Sequence, residues 1–240
     1  MKINKLLLIG LSIVLSQISV AYAYTDIAPA LDEEKMKAVK EQQGIGVNKP
    51  EFDVDAHAKK YKKVTKDGAV MQALELMDTE TLSRPSYRAI LGNNLTEKPV
   101  KIEFKNLYEI NPSYESFEAL GWKDEKKGRL YIYINEKHRN APPEAIAALL
   151  THEAIHQDRL SSLNEETYAW TLEAATWFKL AEKNPVVYKD PSPLVTRLNT
   201  LKKLFIKGNY TDKYIRKAVF TNPSYEQLPT RSPGFEDEDL

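Results

Sequence analysis

His152-Glu153-Ala154-Ile155-His156 sets two of the chain's four histidines four residues apart, with a glutamate directly after the first. On a helix of about 3.6 residues per turn the two imidazoles stand one turn apart on nearly one face, so both can approach one metal ion at roughly 2.0 to 2.1 Å. Glu153, rotated by about 100 degrees, need not bind the ion. Beside that face, its carboxylate can instead take a proton from a metal-activated water, the general-base role in metal-assisted hydrolysis. The pattern is H-E-x-x-H, and with four His and 22 Glu in 240 residues about 0.006 accidental matches are expected. The spacing therefore points to a metal centre rather than to two unrelated helix histidines.

Two imidazoles are one ligand short of the three protein ligands that hold a catalytic zinc with an open fourth position. The chain has no cysteine, so any site is built from N and O ligands. His57 and His138 are available, but His57 lies far away in a lysine-rich segment and His138 reads as a loop histidine. Glu165 and Glu166 are better placed, at the start of a helix that a turn over Arg159–Ser162 would fold back beside His156. Ser162 followed by Glu165 has capping-box spacing, which gives Glu165 a structural task and leaves Glu166 free to bind.

At this point the stretch resembles the gluzincin metallopeptidases, zinc hydrolases with H-E-x-x-H on one helix and a glutamate ligand on the next. The likeness covers residues 128 to 178. Glu166-Thr167-Tyr168-Ala169 matches the family's Glu-x-x-Ala pattern. The resemblance implies one Zn²⁺ held by His152, His156 and Glu166, Glu153 as general base, and a protein or peptide substrate. It also implies a zincin-like fold in which the strand before the active helix, RLYIYIN, is an edge strand paired with the extended substrate. Tyr131 and Tyr133 on that strand either line the cleft as substrate-binding residues or face a covering helix. The chain departs from the pattern at Trp170, where an aspartate often orients a histidine ligand; Glu173 or Asp158 could take over that hydrogen bond. Candidates to stabilise the oxyanion are Tyr168, Tyr188, Tyr210 and His138. Two other functions fit the same residues: a metallopeptidase-like binding or scaffold protein without turnover, and hydrolysis of a non-peptide amide such as a cell-wall bond.

The elements that must position these residues follow from periodicity. RLYIYIN alternates Leu130, Ile132 and Ile134 with Tyr131 and Tyr133, a strand. HRNAPPEAIAALLTHEAIHQ opens on Pro142-Pro143-Glu144 and reads as a helix, followed after a turn by the helix SLNEETYAWTLEAATWFKLAEK. Trp170, Trp177 and Phe178 at helical spacing read as core packing. Upstream, HAKKYKKV, AVMQALELM and PSYRAIL are helical, and PVKIEFKNL and FEALGW are strands. Downstream, PLVTRLNTLKKLFI and TDKYIRKAVF are helices. The fold class is α+β, mainly helical with a small β-sheet.

Lys2 and Lys5, the run LLLIGLSIVLSQISV and Ala21-Tyr22-Ala23 make residues 1–23 a secretory signal peptide. Residues 24–95 form an N-terminal helical region, a packing layer, lid or propeptide that begins with a helix over PALDEEKMKAVKEQQ. Residues 96–230 form the metallopeptidase domain and 231–240 an acidic disordered tail. The formal net charge is +0, and Lys59 to Lys63 read as a solvated face, so no nucleic-acid partner is implied. No segment after the signal is long enough to span a membrane. The protein is expected to act outside the cytoplasm, secreted or periplasmic.

Overall fold

The computed structural model describes residues 52–92, 98–124, 128–156 and 161–232. The signal sequence expected over 1–23, the helix expected over 29–43 and the tail beyond Ser232 lie outside the described residues. The chain is mainly helical with a small sheet, an α+β arrangement. Its elements are α1 (Val54–Tyr61), α2 (Gly68–Thr79), α3 (Arg84–Leu91), β1 (Lys101–Lys105), α4 (Leu107–Ile110), β2 (Ala119–Asp124), β3 (Arg129–Asn135), α5 (Pro143–Glu153), α6 (Leu163–Lys183), α7 (Pro193–Lys207) and α8 (Lys213–Phe220). No helix among the described residues is long and apolar enough to cross a membrane.

Helix α5 is the centre of the fold. Its alanine-rich sequence is apolar nearly all round, and every residue from Glu144 to Glu153 is buried, as a helix without a polar face must be. It packs against α2, α6 and the sheet. Pro143 opens it, where a missing N–H costs nothing, and Glu144 accepts a hydrogen bond from Asn184 Nδ2 at 2.7 Å. Helix α2 presents Val70, Met71, Leu74 and Met77 as a buried stripe, and Asp67 caps it through Ala69 N–H and Val70 N–H. Ser86 on α3 donates to the Thr151 carbonyl at 3.0 Å, satisfying one of the carbonyls that the last turn of α5 leaves without a partner.

The sheet has three strands in the order β1-β3-β2, with β1 parallel and β2 antiparallel to β3. RLYIYIN is therefore the central strand, which corrects the expectation that the strand before the active helix is an edge. The reason lies in its two faces. Leu130, Ile132 and Ile134 turn to the helices, but Tyr133 on the other face also packs, against Leu107, Tyr114 and Leu120. A strand with apolar side chains on both faces belongs inside a sheet. The four-residue helix α4 and the 3-10 turn Pro112–Tyr114 that cover this outer face were not legible from periodicity.

Candidate metal centre

The backbone brings His152 and His156 together by a route slightly different from the expected one. Helix α5 ends at Glu153. The chain then tightens, with Ile155 N–H bonded to the His152 carbonyl at 2.9 Å and His156 N–H to the Glu153 carbonyl at 3.3 Å. His156 thus stands one tight turn beyond the helix rather than within it, yet on the side of His152. The next described residues return through Ser162, whose hydroxyl accepts Glu165 N–H at 3.1 Å and starts α6. That start delivers Glu165 and Glu166 to the two imidazoles, and Glu173 follows two turns along.

The ligand atoms of His152, His156 and Glu166 all lie within 4.8 Å of one another, and all three residues are buried. The Nε2 atoms face each other at 3.2 Å, and Glu166 Oε1 lies 3.3 Å from His156 Nε2. The outer nitrogens are both taken up by carboxylates. His152 Nδ1 is 3.1 Å from Glu173 Oε2, and His156 Nδ1 is 2.7 Å from Glu165 Oε1. Each neutral imidazole therefore carries its hydrogen on Nδ1 and turns a lone pair on Nε2 to the other. Both Glu166 oxygens are buried without a hydrogen-bond partner. Two lone pairs and an unpartnered carboxylate in one buried space repel unless a cation stands among them.

A divalent ion fits that description. Ligands about 2.05 Å from one tetrahedral ion stand about 3.3 Å apart, close to two of the three separations here, the third, His152 Nε2 to Glu166 Oε2, being 3.8 Å. Carboxylates on the outer nitrogens fix tautomer and ring orientation, the usual support of a histidine metal ligand. Among the described residues no other group of this kind occurs.

The electrostatics agree with the geometry. Burial alone would lower the pKa of His156, but the charge of Glu166, with the hydrogen bond and charge of Glu165, pushes it up to about 10, so without a metal a proton supplies the cation. Burial raises the Glu153 carboxyl above its ordinary range, opposed by His152 and His156. Burial would also raise Glu173, but the Arg197 guanidinium and the His152 hydrogen bond bring it down to about 2.

Glu153 and His156 border a small depression partly open to solvent, lined also by Ile90, Gly121, Leu130, Tyr131 and Ile132. Tyr131 thus reaches that lining, whereas Tyr133 lies in the outer apolar cluster with Lys105 Nζ 4.1 Å above its ring. The two rings nevertheless share one face of β3, their centroids 5.6 Å apart. Ser162 caps α6 by accepting the Glu165 N–H, while the Glu165 carboxylate holds His156, a combination that capping-box spacing did not reveal. Glu173 supplies the orienting hydrogen bond that Trp170 cannot; Asp158 lies outside the described residues.

The oxyanion candidates are elsewhere. Tyr168 and Tyr210 are exposed, Tyr188 packs edge-on against Trp177, and His138 is bound to Glu118. His57 lies 3.6 Å from Glu75. The residue that sequence reasoning missed is Tyr225. It is fully buried and accepts a hydrogen bond from Trp170 Nε1 at 3.1 Å. Its hydroxyl faces Glu166, and burial together with the Glu166 charge raises its pKa well above the ordinary phenol value. A signal existed: Asn-Pro-Ser-Tyr-Glu occurs at 111–115 and again at 222–226. Both copies fold as an Asn-capped 3-10 turn that buries its tyrosine.

Comparison with known proteins returns no match to any family model, curated protein or solved structure.

Proposed function

We propose that the protein is an exported zinc-dependent peptidase of gluzincin type, with a zincin-like fold in which His152, His156 and Glu166 hold one Zn²⁺. The observation that carries this reading is the convergence of two imidazole Nε2 atoms, 3.2 Å apart, and the buried Glu166 carboxylate, each histidine backed on its outer nitrogen by its own carboxylate. Zn²⁺, when bound, supplies a Lewis acid for the scissile carbonyl and lowers the pKa of a water toward about 7.

The protein's own residues do the rest. Glu153, at the wall of the depression beside His156, accepts the proton of the attacking water on its carboxylate and passes it to the departing amine. Its elevated pKa suits both transfers. An extended substrate would lie along β2 rather than β3. The Asn135 N–H to Glu118 carbonyl bond, with the register Gly121↔Ile132 and Lys123↔Leu130, turns the main-chain groups of Gly121 and Lys123 away from β3. A Cβ at Gly121 would meet no atom within 4 Å, so a substrate backbone can approach there.

Trp170 stands where the family often has an orienting aspartate, the departure that would suit a non-catalytic binding role. Its indole is engaged by Tyr225 and Glu173 performs the orienting task, which favours turnover. The test is Glu153→Gln. Zinc content should stay at that of the unaltered protein while cleavage of a mixed peptide library falls by about 10²- to 10⁴-fold. Full activity in that variant would refute the mechanism, and zinc binding without cleavage by the unaltered protein would favour a binding protein.

A further inference from the structure

We infer that the C-terminal segment from Tyr225 to Ser232 is a working part of the metal centre, with Ser232 a positioning residue that fixes His156 through Glu165. This rests on the metal reading of the site and is independent of peptidase activity.

The first N–H groups of a helix have no partner within it and are usually left to side chains or water. In α6 they go to the far end of the chain: Leu163 N–H donates to the Pro229 carbonyl at 2.9 Å and Asn164 N–H to the Thr230 carbonyl at 3.1 Å. Two residues on, the Ser232 side chain is buried, 5% exposed. Its Oγ lies 3.0 Å from Ser162 Oγ and 3.3 Å from Glu165 Oε2. The other Glu165 oxygen is the one that meets His156 Nδ1. One carboxylate therefore joins the segment to the histidine. At its start, Tyr225 is stacked edge-on against Trp170 with ring centroids 6.1 Å apart, and the Leu228 N–H bond to the Tyr225 carbonyl, 2.9 Å, turns the chain toward α6.

Helix capping alone does not require this arrangement, because Ser162 already caps α6. What the segment adds is a fixed orientation of the Glu165 carboxyl, whose terminal torsion is otherwise soft. Residues 231–232, expected to open a disordered tail, are thus tied into the site through Ser232. If the segment favours the metal-ready geometry, linkage requires the metal to stabilise the segment by the same factor.

The experiment compares the full chain with Ser232→Ala, Ser232→Thr and a chain ending at Leu228. Zn²⁺ affinity is read by competition with a chromophoric chelator, and hydrogen exchange at residues 227–232 is read with and without Zn²⁺. Ser232→Ala should weaken zinc by about 2- to 10-fold, less than the full worth of a hydrogen bond to a charged group because that bond is also present without metal, and its metal-free melting temperature should fall. Ser232→Thr should bind within about 2-fold of the unaltered chain, since the hydroxyl is kept. The chain ending at Leu228 should lose about 10- to 100-fold. Zn²⁺ should slow exchange in the segment of the full chain. Equal affinity for Ser232→Ala, or exchange in the segment indifferent to zinc, overturns the inference. Failure of the unaltered chain to bind zinc overturns the metal reading and this inference with it.

Discussion

Replacing Arg197 by methionine tests the buried scaffold behind His152. Arg197 donates through Nη1 and Nη2 to the two oxygens of Glu173, the second contact being 2.9 Å. Glu173 is fully buried and Arg197 5% exposed, so solvent does little to weaken the pair. Removing one partner of a buried ion pair leaves an uncompensated charge and costs about 3–5 kcal/mol. A second route gives a similar size. Burial pushes the Glu173 carboxyl up, yet Arg197 and His152 hold it down at about 2 against an ordinary 4.5, a difference equivalent to about 3 kcal/mol. Because the folded-state pKa is depressed, this stabilisation is fully present above about pH 4.5 and is lost as the pH falls toward 2. Urea melts of the metal-free protein should therefore show Arg197→Met destabilised by about 3–5 kcal/mol at pH 7 and by much less near pH 3. The double variant Arg197→Met/Glu173→Leu should recover most of that stability, because neither member of the pair is left charged without the other. It should still bind zinc weakly, having lost the hydrogen bond to His152 Nδ1. A loss under about 1 kcal/mol at pH 7, or an equal loss at both pH values, would refute the argument.

Three further outcomes are expected. In the metal-free protein the raised pKa of His156 contributes stability that is complete below about pH 6.5 and disappears as the pH rises toward about 10. Zinc affinity should climb through the same window, since binding displaces that proton; a calorimetric affinity that is flat between about pH 7 and 9 would contradict it. Glu165→Ala should keep a zinc site of about 10- to 100-fold lower affinity, whereas Glu166→Ala should abolish stoichiometric zinc, so equal effects in a metal assay would undo the assignment of ligand and support. Gly121→Val meets open space and replaces a poor strand former, so thermal melting should hold or rise by about 0.5–1 kcal/mol in stability while the bulk hinders an extended substrate. An unchanged KM for peptides in that variant would argue against substrate lying on β2.

The convergence of His152, His156 and Glu166 was legible because they sit within fifteen residues, 152 to 166, where helix periodicity and turn length govern distance directly. The strands and most helices were legible for the same local reason, each carrying its own apolar stripe. What failed was long-range. Nothing in RLYIYIN says which neighbours pair with it, and its central place follows from α4 and Tyr114 covering the tyrosine face, an event of tertiary packing. The end of α5 at Glu153 was likewise hidden, since the apolar pattern of AIAALL runs on through Ala154 and Ile155 although the hydrogen bonds change there from i+4 to i+3.

The support of the ligands is the part of the site farthest from sequence logic, and the physics of the site says why. A histidine ligand needs an acceptor on its outer nitrogen, but any carboxylate of suitable reach satisfies that need, so its position along the chain is free. Here one comes from Glu165, nine residues from His156, and the other from Glu173, 21 residues from His152. Glu173 can remain charged in a fully buried place only because Arg197 arrives from another helix. Arg197 in turn feels Glu118, and Glu118 is held by His138. Each buried charge thus stands beside a compensating one, a series that runs from His152 through α6 and α7 to the corner between β3 and α5. A reading of the His-Glu-x-x-His motif alone ends at His152, Glu153, His156 and Glu166, whereas the contacts that hold these side chains in place are spread over residues from Glu118 to Ser232.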